Sequence, residues 1–75
     1  VAVFARFDWR VPGAPKPVTF YRACTSMEAA CRKARRWLDD APEVPFISVW
    51  RVPDADDRAR DELYAHVDRR GVRAA

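Results

Sequence analysis

Beyond its eleven carboxylates, few residues in this chain have the chemistry to bind a metal or move a proton: Cys24, Cys31 and a single histidine (His66), with Glu62 four positions before it. Zinc takes about four ligands from thiolate, imidazole and carboxylate groups. Two cysteines without a CxxC and one histidine do not complete such a set, so no metal site is expected. The cysteine spacing permits a disulfide, but a lone pair in a chain with no apolar secretory segment reads better as two reduced, buried thiols. On a helix, Glu62 could orient the His66 imidazole for general-base work. An isolated surface pair of that kind is commonly incidental. No Gly-rich phosphate loop and no GxSxG occur. A chain of 75 residues also has little room for a concave pocket of several hundred Å³. A non-enzymatic protein without cofactors is therefore expected, and no catalytic residue is nominated.

The louder chemistry is cationic. "CRKARRWLDD" (31–40) packs Arg32, Lys33, Arg35 and Arg36 ahead of a tryptophan. Around an apolar helical stripe centred on Ala34, Arg32 and Arg36 point outward while Lys33 and Arg35 flank it. Glu28 precedes Arg32 by four residues, and Asp39 and Asp40 follow Arg35 and Arg36 at the same spacing, so the charges are expected to pair locally. From Thr25 to Ala41 the helix nets only +1. Pairs of this sort contribute a few tenths of a kcal/mol each and favour solubility over recognition. The net +3 of the chain arises instead in residues 1–24, where Arg6, Arg10, Lys16 and Arg22 face only Asp8. A basic hairpin can enter a nucleic-acid groove, but so few charges imply weak, salt-sensitive binding.

The elements that must position these groups follow from periodicity. In "VAVFARFDWRV" every odd position is apolar (Val1, Val3, Ala5, Phe7, Trp9, Val11), the pattern of a half-buried strand. "PGAPKP" (12–17) is a loop, and "VTFYRAC" (18–24) a second strand. Thr25 and Glu28 have capping-box spacing. Met27, Ala30, Cys31, Ala34, Trp37, Leu38 and Ala41 then recur at steps of three and four until Pro42 ends the helix. Residues 44–52 form a third strand. Asp54 as N-cap, Asp56 and Asp57 in a first turn, Arg69 and Arg70 in a last turn and Gly71 after it predict a second helix. Its stripe is thin: Ala55, Ala59, Leu63, Val67. The expected fold is one α+β domain over residues 1–75: two layers in the order ββαβα, with a three-stranded antiparallel sheet (order 2-1-3) and two helices.

So small a domain buries only about 60 to 65% of its unfolded surface. Its nine aromatic residues are expected to supply much of the core. The second and third strands are apolar on both faces, with Phe46 and Trp50 opposite Ile47 and Val49. The sheet face turned from the first helix is therefore expected to collect Phe4, Phe20, Phe46 and Trp50, ringed by Arg6, Arg10 and Arg22. A one-residue shift of the second strand would exchange its two faces. Either the second helix covers this patch, or a protein partner or second copy does. Aromatic and arginine side chains together have the composition of protein interfaces. They also suit single-strand nucleic acid, although no RNP-type motif is present. Protein binding or self-association is the expected function, weak nucleic-acid binding the alternative. No apolar run approaches a membrane span, so the cytoplasm is the expected compartment.

"VTFYRACTSMEAACRKARRWLDD" with the short strand after it is similar to the strand–capped-helix–strand unit of the HicB-type antitoxin fold. The resemblance covers about half of the chain and rests on the capping box and Ala-rich stripe. The glycine-bearing third strand of that family is absent, so the resemblance implies a local α+β unit and assigns no functional residue. The Arg- and Ala-rich composition also resembles small uncharacterised accessory proteins of actinobacterial phages and their hosts. That likeness implies a binder of a host or virion protein. If Arg32 and Arg36 only solvate the helix, changing both to Gln will move the free energy of unfolding, measured by urea titration, by less than about 1 kcal/mol.

Overall fold

The computed structural model describes residues 2–75, which leaves Val1 of the alternating stripe outside the described residues. Alternation in the first segment builds β1 (Val3–Trp9): Ala5 and Phe7 are fully buried on one side, and Phe4, Arg6 and Asp8 turn to the other. A proline-rich loop with Gly13 at φ 84° leads into β2 (Val18–Cys24). β2 runs antiparallel to β1 from Val3↔Cys24 to Trp9↔Val18. Helix α1 (Met27–Asp40) buries Met27, Ala30, Cys31, Ala34 and Leu38 and leaves Trp37 half-buried. Its N-cap is Ser26 and not Thr25. The Ser26 hydroxyl accepts from the Ala29 amide at 3.0 Å, while Glu28 is drawn off to the Tyr64 hydroxyl at 3.1 Å. β3 (Ile47–Arg51) pairs antiparallel with the far side of β1.

Residues 54–70 are not a helix. The Asp54 carboxylate accepts from Asp56 N in a local turn, and Asp57 caps a single 3₁₀ turn at Arg58–Arg60. Two strands follow, β4 (Glu62–Asp68) and β5 (Gly71–Ala74), giving a five-stranded antiparallel sheet in the order β2-β1-β3-β4-β5. The expected ββαβα fold with a three-stranded sheet and two helices is therefore wrong. Four apart, Leu63 and Val67 share one face of a helix, whereas on the strand a slip in the pairing sets Leu63 with Trp50 and Val67 with Ile47, on opposite faces. Ala65 distinguishes the two: it would oppose them on a helix, and it is buried beside Val67 on the strand. Arg69 and Arg70 make the hairpin turn. The Asp68 carboxylate accepts from the amides of Arg70 at 2.8 Å and Gly71 at 3.1 Å. Gly71, read as a residue ending a helix, instead opens β5 at φ 143°, where a side chain is disfavoured.

Pairing of β3 with β4 slips at Val49/Trp50, so that Val49 faces Ala65 while Trp50 faces Leu63. Tyr64 is the extra residue of this bulge, and its hydroxyl reaches Glu28 on the helix side. The core lies between α1 and the sheet: Ala5, Phe7, Ile47, Val49, Ala65 and Val67 below, Ala30, Ala34 and Leu38 above. Each of the larger side chains contributes about 1.5–3 kcal/mol on burial. Both cysteines are free and buried within it. Among the described residues no helix is long and apolar enough to cross a membrane.

The C-terminal end of α1 is held from across the sheet. The Arg69 guanidinium donates to Val44 O at 2.7 Å, Ala41 O at 2.8 Å and Leu38 O at 2.9 Å. Leu38 O and Ala41 O also accept from the Ala41 and Val44 amides, so the guanidinium adds a second bond to each, and it places a positive charge where the helix dipole favours one. Arg69→Ala should cost about 2 kcal/mol in urea unfolding, and Arg69→Lys should recover less than half of that, because one ammonium group cannot span three carbonyls.

Candidate functional site

With α1 on one side, the opposite sheet face carries the even residues of β1 and their cross-strand neighbours. Arg6 lies between Tyr21 on β2 and Trp50 on β3; Asp8 lies between Thr19 and Ser48. The Arg6 guanidinium stacks over the Trp50 ring at 4.5 Å and donates its Nε to Asp8 at 3.1 Å. A second ion pair reaches Asp61 at 3.2 Å, and the Tyr21 hydroxyl donates to the same carboxylate oxygen at 3.3 Å. Asp61 immediately precedes β4, so the segment after β3 crosses over that strand to deliver it. Arg58 of the same segment lies over the Tyr21 ring at 5.0 Å. This strap replaces the expected second helix as cover, and it covers only one end of the face.

The electrostatics are closed. Burial would lower the Arg6 pKa, but hydrogen bonds with Asp8 and Asp61 outweigh it and hold the guanidinium above its ordinary value. The Asp61 side chain is 1% exposed and its second oxygen has no partner; Trp50 Nε1 is likewise buried and unpaired among the described residues. Each such orphan costs about 1–3 kcal/mol. Beyond the strap, Phe46 stands edge-on to His66 at 5.5 Å, and the His66 Nδ1 lies 3.0 Å from the Ser48 hydroxyl. Glu62 and His66 lie four residues apart along a strand, roughly 13 Å, so the acid does not orient the imidazole.

Of the residues singled out in the sequence, Phe4, Arg6, Phe46 and Trp50 fall on this face. Arg10 lies beyond the end of β1, lining a small depression of about 170 Å³ with Asp8, Phe46 and Ser48. Phe20 and Arg22 do not join them. Their partners are Phe7 and Ala5, on the helix side, where Phe20 packs near Trp9 at 5.4 Å and Trp37 at 6.2 Å. Tyr21, Ser48, Asp61, Leu63 and His66 belong to the face and were not foreseen. Tyr21 follows from the exchanged register; nothing local marks Asp61, which sits in a run of alternating charge.

On the helix side a groove of about 390 Å³ runs between α1 and β5, lined by Glu28, Cys31, Arg32, Arg35, Tyr64 and Val72. Burial and the nearby Glu28 charge push the Cys31 thiol pKa up, the opposite of what an activated nucleophile needs. The hydrogen bond to Glu28, then burial, likewise raises that of Tyr64. The local charge pairing expected of α1 holds only for Arg35 with Asp39. Arg32, Lys33 and Arg36 have no carboxylate within 4.0 Å among the described residues; for Arg32 this follows from Glu28 being engaged by Tyr64.

No family model, curated protein or solved structure matches this chain. The Arg6–Asp61 pair ties the strap to the face. Asp61→Ala should lower the free energy of unfolding by about 2–4 kcal/mol in urea titration, since it releases both the guanidinium and the Tyr21 hydroxyl. A loss below about 0.5 kcal/mol would show that the strap does not hold the sheet.

Proposed function

We propose that this chain is a non-enzymatic module acting through protein contacts in the cytoplasm, and that the sheet face opposite α1 is its contact surface. One observation carries the reading. Phe4 and Phe46, 37% and 41% exposed, stand on either side of a Trp50 ring stacked under Arg6, on a face no helix covers. Exposed aromatics beside a fixed arginine and tryptophan have the composition of an interface core, where Trp, Tyr and Arg carry much of the binding energy. Resemblance to small accessory proteins of phages and their hosts fits an adaptor, inhibitor or assembly component.

Weak nucleic-acid binding is the second reading. Arg6 is neutralised by Asp8 and Asp61, which weighs against phosphate on the open face and removes one cation from the hairpin. Support comes instead from Arg32, Lys33 and Arg36 on α1, which lack carboxylate partners among the described residues. If nucleic acid binds there, log affinity for a short single strand should fall with log salt at a slope of about −2 to −3. No binding at tens of micromolar in low salt removes this reading. For the protein reading, a photo-crosslinking phenylalanine analogue placed at Phe46 in cells should yield discrete heavier adducts. The same analogue at Arg36 should yield none. Adducts at neither position, or equally at both, would remove the open face as the contact surface.

A further inference from the structure

The outer edge of β2 is a surface separate from the face proposed above. Val52 N donates to Phe4 O at 3.0 Å, so Phe4, Arg6 and Asp8 turn their backbone groups toward β3. Val3, Ala5, Phe7 and Trp9 therefore turn theirs toward β2, where their partners are Cys24, Arg22, Phe20 and Val18. The amides and carbonyls of Thr19, Tyr21 and Ala23 are left pointing outward, with no further strand beside them. The Tyr21 carbonyl confirms the direction by accepting from the Arg22 guanidinium at 3.0 Å.

Proteins protect such edges with prolines, bulges, inward charges or short strands. β5, at the other end of the sheet, is short, with four residues. β2 has seven residues, no proline, no bulge and an aromatic at its centre, and only the Arg22 side chain lies along its rim. It is also self-complementary. A two-fold axis through Tyr21 sets Tyr21 opposite its own copy and Thr19 opposite Ala23, and these are the residues whose backbone groups are free. Each such pair can exchange both N–H···O bonds. The alternate pairs then place Phe20 opposite the second copy's Arg22 at the closer Cα spacing of about 4.5 Å. Within one chain Arg22 already lies over Phe20 at 5.1 Å, so the same cation–aromatic contact is reproduced across the axis.

We propose that β2 pairs antiparallel with the β2 of a second copy about a two-fold axis at Tyr21, joining two sheets into one of ten strands with both helices on one side. On pairing, the Tyr21 carbonyl passes from Arg22 to the second copy's Tyr21 amide, and Arg22 moves over the opposing Phe20. Pairing β2 with β5 would be head-to-tail and would grow without closing; the β2–β2 pairing closes as a dimer. A single strand pair buries less than a standard interface, so the dimer is weak and concentration-dependent.

Sedimentation equilibrium of the 75-residue chain from about 10 µM to 1 mM tests this. The mass should rise from 8.6 kDa toward twice that value. Ala23→Pro removes an outward amide without touching the bonds to β1; it should stay monomeric with an unchanged circular dichroism spectrum. Phe20→Lys sets like charges opposite each other and should weaken association at least tenfold. Combined with Arg22→Glu it should restore a salt-sensitive dimer. A wild-type chain that stays monomeric throughout, growth beyond a dimer, or Ala23→Pro associating like wild type would overturn the proposal. Phe46→Ser should leave the dimer intact. If that variant alone abolishes association, the open face is the self-contact and the β2 edge is not, which separates this inference from the proposed function.

Discussion

A single helix cannot cover a five-stranded sheet, and most of this structure follows from that mismatch of widths. Strands spaced about 4.8 Å apart put roughly 19 Å between the outer axes, whereas a helix with its side chains is about 10–12 Å across. Helix α1 therefore seats over the central strands, and Ala30 and Ala34, with no exposed surface, let it approach closely. The flanks are closed by large side chains reaching sideways. Trp37 meets Phe7 edge-on at 4.8 Å and extends toward Trp9 and Phe20 over β2. On the other flank the bulge at Tyr64 turns an aromatic residue upward to Glu28. Beyond these props the outer strands are wet: Phe20 and Val72 remain 41% and 55% exposed on the side that carries the helix.

The opposite face has no second layer, and a guanidinium stands in for one. Arg6 shields the Trp50 ring with its own plane while directing its hydrogen bonds sideways to Asp8 and Asp61. Arginine can cover an aromatic ring and hold carboxylates at once because its donors lie in the plane that stacks. The arrangement has a cost, since Asp61 Oδ1 and Trp50 Nε1 are left without partners among the described residues. A face finished by polar side chains is held by fixed hydrogen bonds and sparsely covered, with Phe4 and Phe46 at its margins.

How much of this could be read in the sequence depended on whether two periods could be told apart. α1 was legible because its stripe and Pro42 admit one interpretation. β1 was legible because every odd position is apolar. The segment 54–70 was not, because acidic residues ahead of arginines and a glycine imitate the two ends of a helix, Leu63 with Val67 fits a helical stripe, and the bulge at Tyr64 breaks the alternation of the strand. The deciding residue, Ala65, is too small to announce a face. The site was half legible for a related reason. β2 is apolar on both sides, so only its pairing to β1, Phe7 with Phe20 and Arg6 with Tyr21, assigns Tyr21 to the open face and Phe20 to the helix side. Asp61 acts 55 residues away from Arg6, and long-range partners of that kind leave no local trace.

Twelve of the fourteen cations are arginines, a bias that base composition of the genome is enough to produce, yet two of them do work lysine cannot. Arg69 spans three carbonyls at the end of α1. Arg6 covers a ring and binds two carboxylates. Both link parts of the chain distant in sequence: Arg69 ties the β4–β5 turn to the helix end, and Arg6 ties the strap to β1. The two links act on opposite faces of the sheet, and both depend on the C-terminal segment that replaced the expected second helix. Read as a helix, 54–70 would have offered only a second cover for the sheet. As strap, strand and hairpin it widens the sheet beyond what one helix can cover, and it also supplies Asp61 and Arg69, the groups that finish each face. The open face thus follows from how the chain uses its last third, and it does not require a missing layer to explain it.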